Sequence, residues 1–203
     1  VVYADRKKIY EDGKFLEKQA HATWVDRSRS PRGAPPKGND DVTDPRYARL
    51  ADVLVNYSVG VGKGDLVAIQ GAALAEPLLL EVYRKVIEAG GNPYLRAHLP
   101  ASTEIFLKTA KKKQLEFVNP VSMFEIENID KVISIWADEN TKSLANIDPK
   151  RQGARSAATA PLMKRWMERE AAGELLWVGT QFPCNASAQD AEMSLEEYED
   201  FVL

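Results

Sequence analysis

The side chains able to do chemistry are few and scattered along this 203-residue sequence. Only two histidines occur, His21 and His98. A metal-activated water that attacks a carbonyl needs several His and carboxylate ligands converging on the ion. His98 has no second histidine at helical spacing, and no His-Glu-x-x-His stretch occurs. It reads as a polar residue at the edge of a sheet. Cys184, in Phe182-Pro-Cys-Asn-Ala-Ser187, would need a neighbouring base to become a nucleophile. No histidine is near it in sequence, so it reads as a small buried residue. Ser58, Ser156 and Ser187 lack the strand-to-helix elbow of an acyl-transfer serine. The carboxylates from Glu192 to Asp200 follow helical spacing rather than that of a calcium loop with its glycine. Gly60-Val-Gly-Lys-Gly64 has the composition of a phosphate loop but the wrong place, because its glycines precede the strand instead of opening a helix. A tight helix-to-strand turn is the expectation. Spacing alone therefore assigns no catalytic, cofactor-binding or metal-ligating residue.

The elements around these residues are more legible. Asp44-Pro45 is an N-cap followed by proline at the first helical position. Tyr47, Leu50, Ala51, Leu54 and Tyr57 then recur at helical spacing until Gly60. Leu66 to Ile69 is a short apolar run of the kind found in a buried parallel strand. Leu74, Leu78, Leu79, Val82, Tyr83, Val86 and Ile87 form one helical face, and Gly90-Gly91 supplies the stop. Pro93–Ala97 begins a second strand, so the stretch is a βαβ unit with a right-handed crossover. Ser102 or Thr103 caps a helix carrying Ile105, Phe106 and Leu107, with Lys111-Lys-Lys113 at its exposed end. Glu116 to Asn128 reads as a connecting helical or irregular segment, Lys131–Trp136 as a third strand and Leu175–Gly179 as a fourth. Between the last two, Asp148-Pro149 opens a helix that Pro161 restarts, with Leu162, Met163, Trp166 and Met167 facing inward. The predicted fold is α/β: a mainly parallel sheet of at least four strands with helices on both faces.

Composition narrows the function classes. The net charge of −3 gives no overall attraction to nucleic acid, and no apolar run approaches a membrane span. With Cys184 alone there is no internal disulfide, which predicts a reducing, cytoplasmic setting. Residues 1–43 are poor in apolar side chains, and Arg27 to Asp40 is a Pro/Gly/charge stretch expected to be disordered. No aromatic residue interleaves with Arg27, Arg29 and Arg32, as a nucleic-acid arm would require. That stretch also has no apolar h-region of a signal peptide. Toward the other end, Lys142 to Arg169 is strongly basic, whereas Glu174 to Asp200 holds only acids. Two helix faces that complement each other are the simpler reading; a basic groove for an anionic ligand is the sharper one. Ser194-Leu-Glu-Glu197 is a capping box, and its apolar stripe of Leu195, Tyr198 and Val202 predicts a helix running past Leu203.

From Asp44 onward the sequence resembles the N-terminal half of the thermophilic-type metalloaminopeptidases, the aminopeptidase T and aminopeptidase S family. The resemblance is carried by Asp44-Pro-Arg-Tyr-Ala-Arg-Leu-Ala-Asp-Val-Leu-Val-Asn-Tyr-Ser58, Ala75-Glu-Pro-Leu-Leu79, Glu88-Ala-Gly-Gly91 and Ile147-Asp-Pro149. Its most specific part is the tract Ala188-Gln-Asp-Ala-Glu-Met-Ser-Leu-Glu-Glu-Tyr-Glu-Asp-Phe-Val202. Cys184 departs from the hydroxyl residue usual in the family. The resemblance implies a two-domain, homodimeric exo-aminopeptidase acting on peptides with two divalent metals, zinc or cobalt. The family's metal ligands lie in its second half, so no metal, catalytic or cofactor-binding residue carries over to this sequence, and none of those ions is expected to be held by it. Residues 1–43 have no family counterpart, and residues 44–203 correspond to an N-terminal α/β domain. Its implied part is scaffold, dimer contact and cavity wall. The alternative is a non-catalytic module that binds a small ligand or dimerises. An open parallel sheet offers a crevice beyond its strand ends, here near Gln70-Gly71, His98-Leu-Pro100, Ala137-Asp138 and Thr180-Gln181.

Overall fold

The computed structural model describes residues 44–203 together with two short strands, β1 (Tyr10–Glu11) and β2 (Lys14–Phe15), which pair antiparallel. These strands belong to a separate unit, Val1–Asp40, and all that follows concerns Asp41–Leu203. The reading of residues 1–43 as a disordered or non-family extension falls, those strands apart, outside the described residues.

Helix α1 (Pro45–Asp52) starts as its sequence dictates: the Asp44 carboxylate accepts from the Arg46 N–H at 2.8 Å, and Pro45 sits where no N–H is needed. It runs on into a π-helical segment, Val53–Ser58. The wider winding changes which residues face inward. Ala51, Leu54 and Val55 are buried, but Tyr57, expected on the inner face, is 88% exposed. Gly60 and Gly64 then take positive φ in the turn leading to the sheet, so the glycine-rich stretch is the predicted helix-to-strand connection.

The sheet has the order β4-β3-β5-β6, all parallel, from β3 (Leu66–Ala72), β4 (Asn92–His98), β5 (Lys131–Trp136) and β6 (Leu176–Gln181). All four predicted strands are present, and β3, β4 and β6 run further at their carboxyl ends because the ladder continues past the apolar run. On one face Val67, Ile69, Ile133 and Ile135 pack against α1 and α2 (Glu76–Glu88). Leu78, Leu79, Val82 and Val86 of α2 are buried, each contributing about 1.5–3 kcal/mol. That docking outweighs the marginal stability of so short a helix in isolation. Leu74 and Ile87, expected on this face, are 40% and 53% exposed. Leu74 lies in a 3₁₀ turn, Ala73–Ala75, that precedes the helix and shifts its phase. On the other face Ala68 and Val132 pack with Ile129, Leu175 and Trp166 of α6 (Pro149–Ala171). Helices therefore cover both faces.

Several local expectations are corrected. Helix α3 (Pro100–Thr109) begins at its proline with Leu99 as the cap residue, so neither Ser102 nor Thr103 caps it, and Ile105 is exposed. The lysine run opens a separate turn, α4 (Lys112–Leu115), instead of ending α3; the connecting segment takes the helical one of its two expected forms, as α5 (Pro120–Asn128). Helix α6 is continuous through Pro161. Proline removes the bond to the Ala157 carbonyl, but both residues are exposed, so water can take that partner. Met163 and Met167 are 60% exposed rather than inward.

The arginines of α6 explain why α3, α4 and α5 end without glycine caps. Arg151 donates to the carbonyls of Leu107 and Ala110 at the end of α3. Arg155 donates to those of Leu115 and Phe117, beyond α4, with its guanidinium 5.4 Å from the Phe106 ring centroid. Arg169, only 7% exposed, donates to Ile126 and Ile129 at the end of α5, and to Glu174. The basic stretch thus binds backbone, and neither a free basic groove nor a facing acidic helix accounts for these three residues.

Two short helices, α7 (Asn185–Asp190) and α8 (Leu195–Val202), close the chain. The Ser194–Glu197 capping box forms as predicted. Arg46 of α1 bridges the Asp44 cap to Asp200 of α8 at 2.7 Å, and Tyr47 stacks on Phe182 at 5.5 Å. Hydrogen bonds from the Ser194 backbone and hydroxyl hold the Glu197 carboxyl below its ordinary value, and Arg46 does the same for Asp44. A depressed carboxyl stabilises above its unfolded pKa and loses that contribution as pH falls through the folded one. Acidification below about pH 4.5 is therefore expected to fray α8 and the start of α1 before the sheet opens. Amide exchange should show protection falling first at Glu197–Val202; simultaneous loss in β3 and β5 would contradict it.

Candidate functional site

In a parallel sheet alternate side chains share a face, and the register places Gln70, Tyr94, Arg96, His98, Ser134 and Trp136 together on the α6 side. Helix α6 covers the amino-terminal half of that face, over Ala68 and Val132. The carboxyl-terminal half lies open as a crevice of about 560 Å³. This is where an open α/β sheet generally presents a ligand site.

Its floor is polar and internally bonded. The Gln70 amide donates to Ser134 Oγ at 2.8 Å, and Ser134 is only 6% exposed. That bond leaves the Gln70 side-chain carbonyl able to accept and the Ser134 hydroxyl proton able to donate. Trp136 forms one wall. A Cβ on Gly179 would lie 2.3 Å from the indole, so glycine in β6 is what lets that ring lie flat across the sheet. Tyr94 forms the opposite wall, and the two rings are 43% and 52% exposed for Tyr94 and Trp136 respectively. Arg96, with its side chain 45% exposed, donates to Glu125 of α5 at 2.8 Å, which fixes its reach. Paired aromatic walls above an amide–hydroxyl floor can hold and orient a flat or apolar group. They contain no nucleophile–base pair.

His98 does line this crevice, as do Gln70 and Gly71. The other predicted rim residues do not. Ala137 is buried, the Asp138 carbonyl accepts from Cys184 Sγ at 3.2 Å, and Gln181 donates to Ser187 Oγ at 2.9 Å. Cys184 is buried and bonded, consistent with a packing residue. Tyr94, Arg96, Ser134 and Trp136 were not singled out by the sequence. The available signal was Ser134, a polar residue inside the apolar run Val132 to Ile135. Among the described residues no three His, Cys, Asp or Glu side chains converge as metal ligands. The residues present do not fit a two-metal centre, and His98 alone cannot supply one. No helix among the described residues is long and apolar enough to cross a membrane.

The solved structure of wild-type AmpT from Thermus thermophilus shares this fold with a TM-score of 0.62 at 16% sequence identity. The match covers 78% of this chain and 41% of that one, so the chain spans less than half of that protein's length. No curated protein sequence matches the chain. The family model described as thermophilic metalloprotease (M29) matches residues 43–203. With that match extending over most of its length, the chain belongs to the thermophilic metalloprotease family.

Proposed function

We propose that this chain is the N-terminal α/β domain of a metal-dependent exo-aminopeptidase that removes N-terminal amino acids from peptides in the cytoplasm. Two divalent ions, zinc or cobalt, would be held by residues outside this sequence. The domain itself would act as scaffold, homodimer contact and wall of the cavity that admits peptides. The observation carrying this reading is the family match over residues 43–203 in a chain whose described residues assemble no metal-ligand set. The purified chain is expected to release no leucine from a chromogenic leucine amide, with or without added zinc or cobalt. Chelator-sensitive release at an enzyme-like rate would sink the proposal, and His98 with its neighbours would then be the first place to look. The aromatic-walled crevice favours a second reading, a non-catalytic module that binds a small ligand. A downstream reading frame encoding His and carboxylate ligands favours the enzyme over the module.

A further inference from the structure

Strand β4 ends the sheet, and among the described residues no strand pairs with its outer edge. Which backbone groups that edge offers follows from the ladder. The Asn92 N–H donates inward to the Asp65 carbonyl at 2.8 Å, in register with the Asn92–Leu66 pair. In a parallel strand both polar groups of one residue point the same way and alternate along the chain. Asn92, Tyr94, Arg96 and His98 therefore bond to β3, while Pro93, Leu95 and Ala97 point outward. Pro93 has no N–H to expose, which suits an edge. Among the described residues, Leu95 and Ala97 each leave a donor and an acceptor without a partner.

Grooves flank this edge on both faces. Tyr94, Arg96 and His98 line the 560 Å³ crevice on one side. Leu95 and Ala97, with Leu79, Leu80 and Glu76 of α2, line a groove of about 170 Å³ on the other. A free small molecule would occupy one groove or the other. An added strand uses both, because its successive side chains alternate between faces while its backbone pairs with the edge.

We infer that β4 takes an extended peptide by strand addition, with an aliphatic side chain in the Leu80–Leu95 groove and an aromatic or amide-bearing one beside Tyr94 and Arg96 on the other face. Choosing a peptide as occupant rests on the reading of this family as acting on peptides. A second copy of the chain fits the edge less well. Antiparallel pairing about Arg96 sets two guanidinium groups opposite each other, which is destabilising. Pairing about Leu95 sets Pro93, which lacks a donor, against the partner's Ala97 at both ends.

The test is titration of the ¹⁵N-labelled 203-residue chain with an acetylated, amidated pentapeptide of alternating leucine and phenylalanine. A blocked N-terminus makes this peptide no substrate for an exo-aminopeptidase, so binding is read apart from turnover. Saturable shifts are expected at the Leu95 and Ala97 amides and the Arg96 side-chain Nε–H. N-methylating the peptide amides that face β4 should weaken binding about tenfold, and methylating the alternate ones should not. Tyr94→Ala should weaken the phenylalanine peptide more than an all-leucine one. Absence of shifts at millimolar peptide would overturn the inference. So would shifts confined to the crevice with the Leu95 and Ala97 amides unmoved, or shifts that follow protein concentration without peptide. Binding without turnover in any longer enzyme would leave this inference standing and remove the proposed activity; turnover without binding here would do the reverse.

Discussion

Replacing Arg169 with methionine is expected to destabilise the domain by about 3 kcal/mol, with the melting temperature lowered by roughly 6–12 °C. Arg169 is 7% exposed and its guanidinium serves the carbonyls of Ile126, Ile129 and Glu174. Methionine keeps much of the packing volume but leaves those acceptors without a donor at the end of α5. An unpaired buried acceptor loses its water without compensation, and that loss exceeds what a surface ion pair returns. Arg165 supplies the contrast. It holds Glu127 with two bonds of 2.7 and 2.8 Å, yet both side chains are about a third or more exposed. Its replacement should change stability far less, and Arg169→Lys, which cannot fork to three carbonyls, should fall between wild type and Arg169→Met. Chemical denaturation of the three variants measures this. A loss at Arg169 no larger than at Arg165 would show that the carbonyls find water instead.

The second large effect is expected at Gly71. A Cβ there would lie 2.7 Å from the Ile135 carbonyl oxygen and 3.2 Å from Leu79 Cδ2. Both neighbours belong to the packed centre of the sheet: one is backbone in β5 and the other a buried side chain of α2. Neither can yield cheaply, so Gly71→Ala should cost about 3 kcal/mol, the upper end for overpacking, and Gly71→Val more. Gly179→Ala makes a closer approach on paper, 2.3 Å, but to the edge of the half-exposed Trp136 ring. That ring can swing toward solvent. The expected result there is a small stability change with a blue- or red-shifted Trp136 emission and a remodelled crevice wall. A loss at Gly71→Ala as small as that expected at Gly179→Ala would mean that β3 and β5 can separate locally, against the packing described.

Much of the fold was readable because it rests on local signals. Asp44-Pro45, Asp148-Pro149 and Ser194 to Glu197 cap helices by interactions within three residues, and all three cap as read. Strands β3 and β5 announce themselves as apolar runs because both faces of the sheet are buried at its centre, whereas β4 and β6 at its edges are far more exposed. Errors arose where a helix changes phase or where exposure depends on what lies opposite. Tyr57 turned outward through π winding, Leu74 through a 3₁₀ turn, and Met163 and Met167 because no other described element covers that side of α6. Apolar spacing marks a face, but the element that meets it lies far away in sequence.

The sequence alone was enough for the α/β class, the four strands in order and the family from Asp44 onward. Tertiary structure decided what could not be local. It turned the α6 arginines into caps for three other helices, 38 to 44 residues distant in most cases. It also gathered Gln70, Tyr94, Ser134 and Trp136 into one crevice, and left β4 with an outer edge that no other described strand pairs with. The reason is strand order: β3 sits between β4 and β5, so residues from three separated segments become neighbours only once the ladder forms.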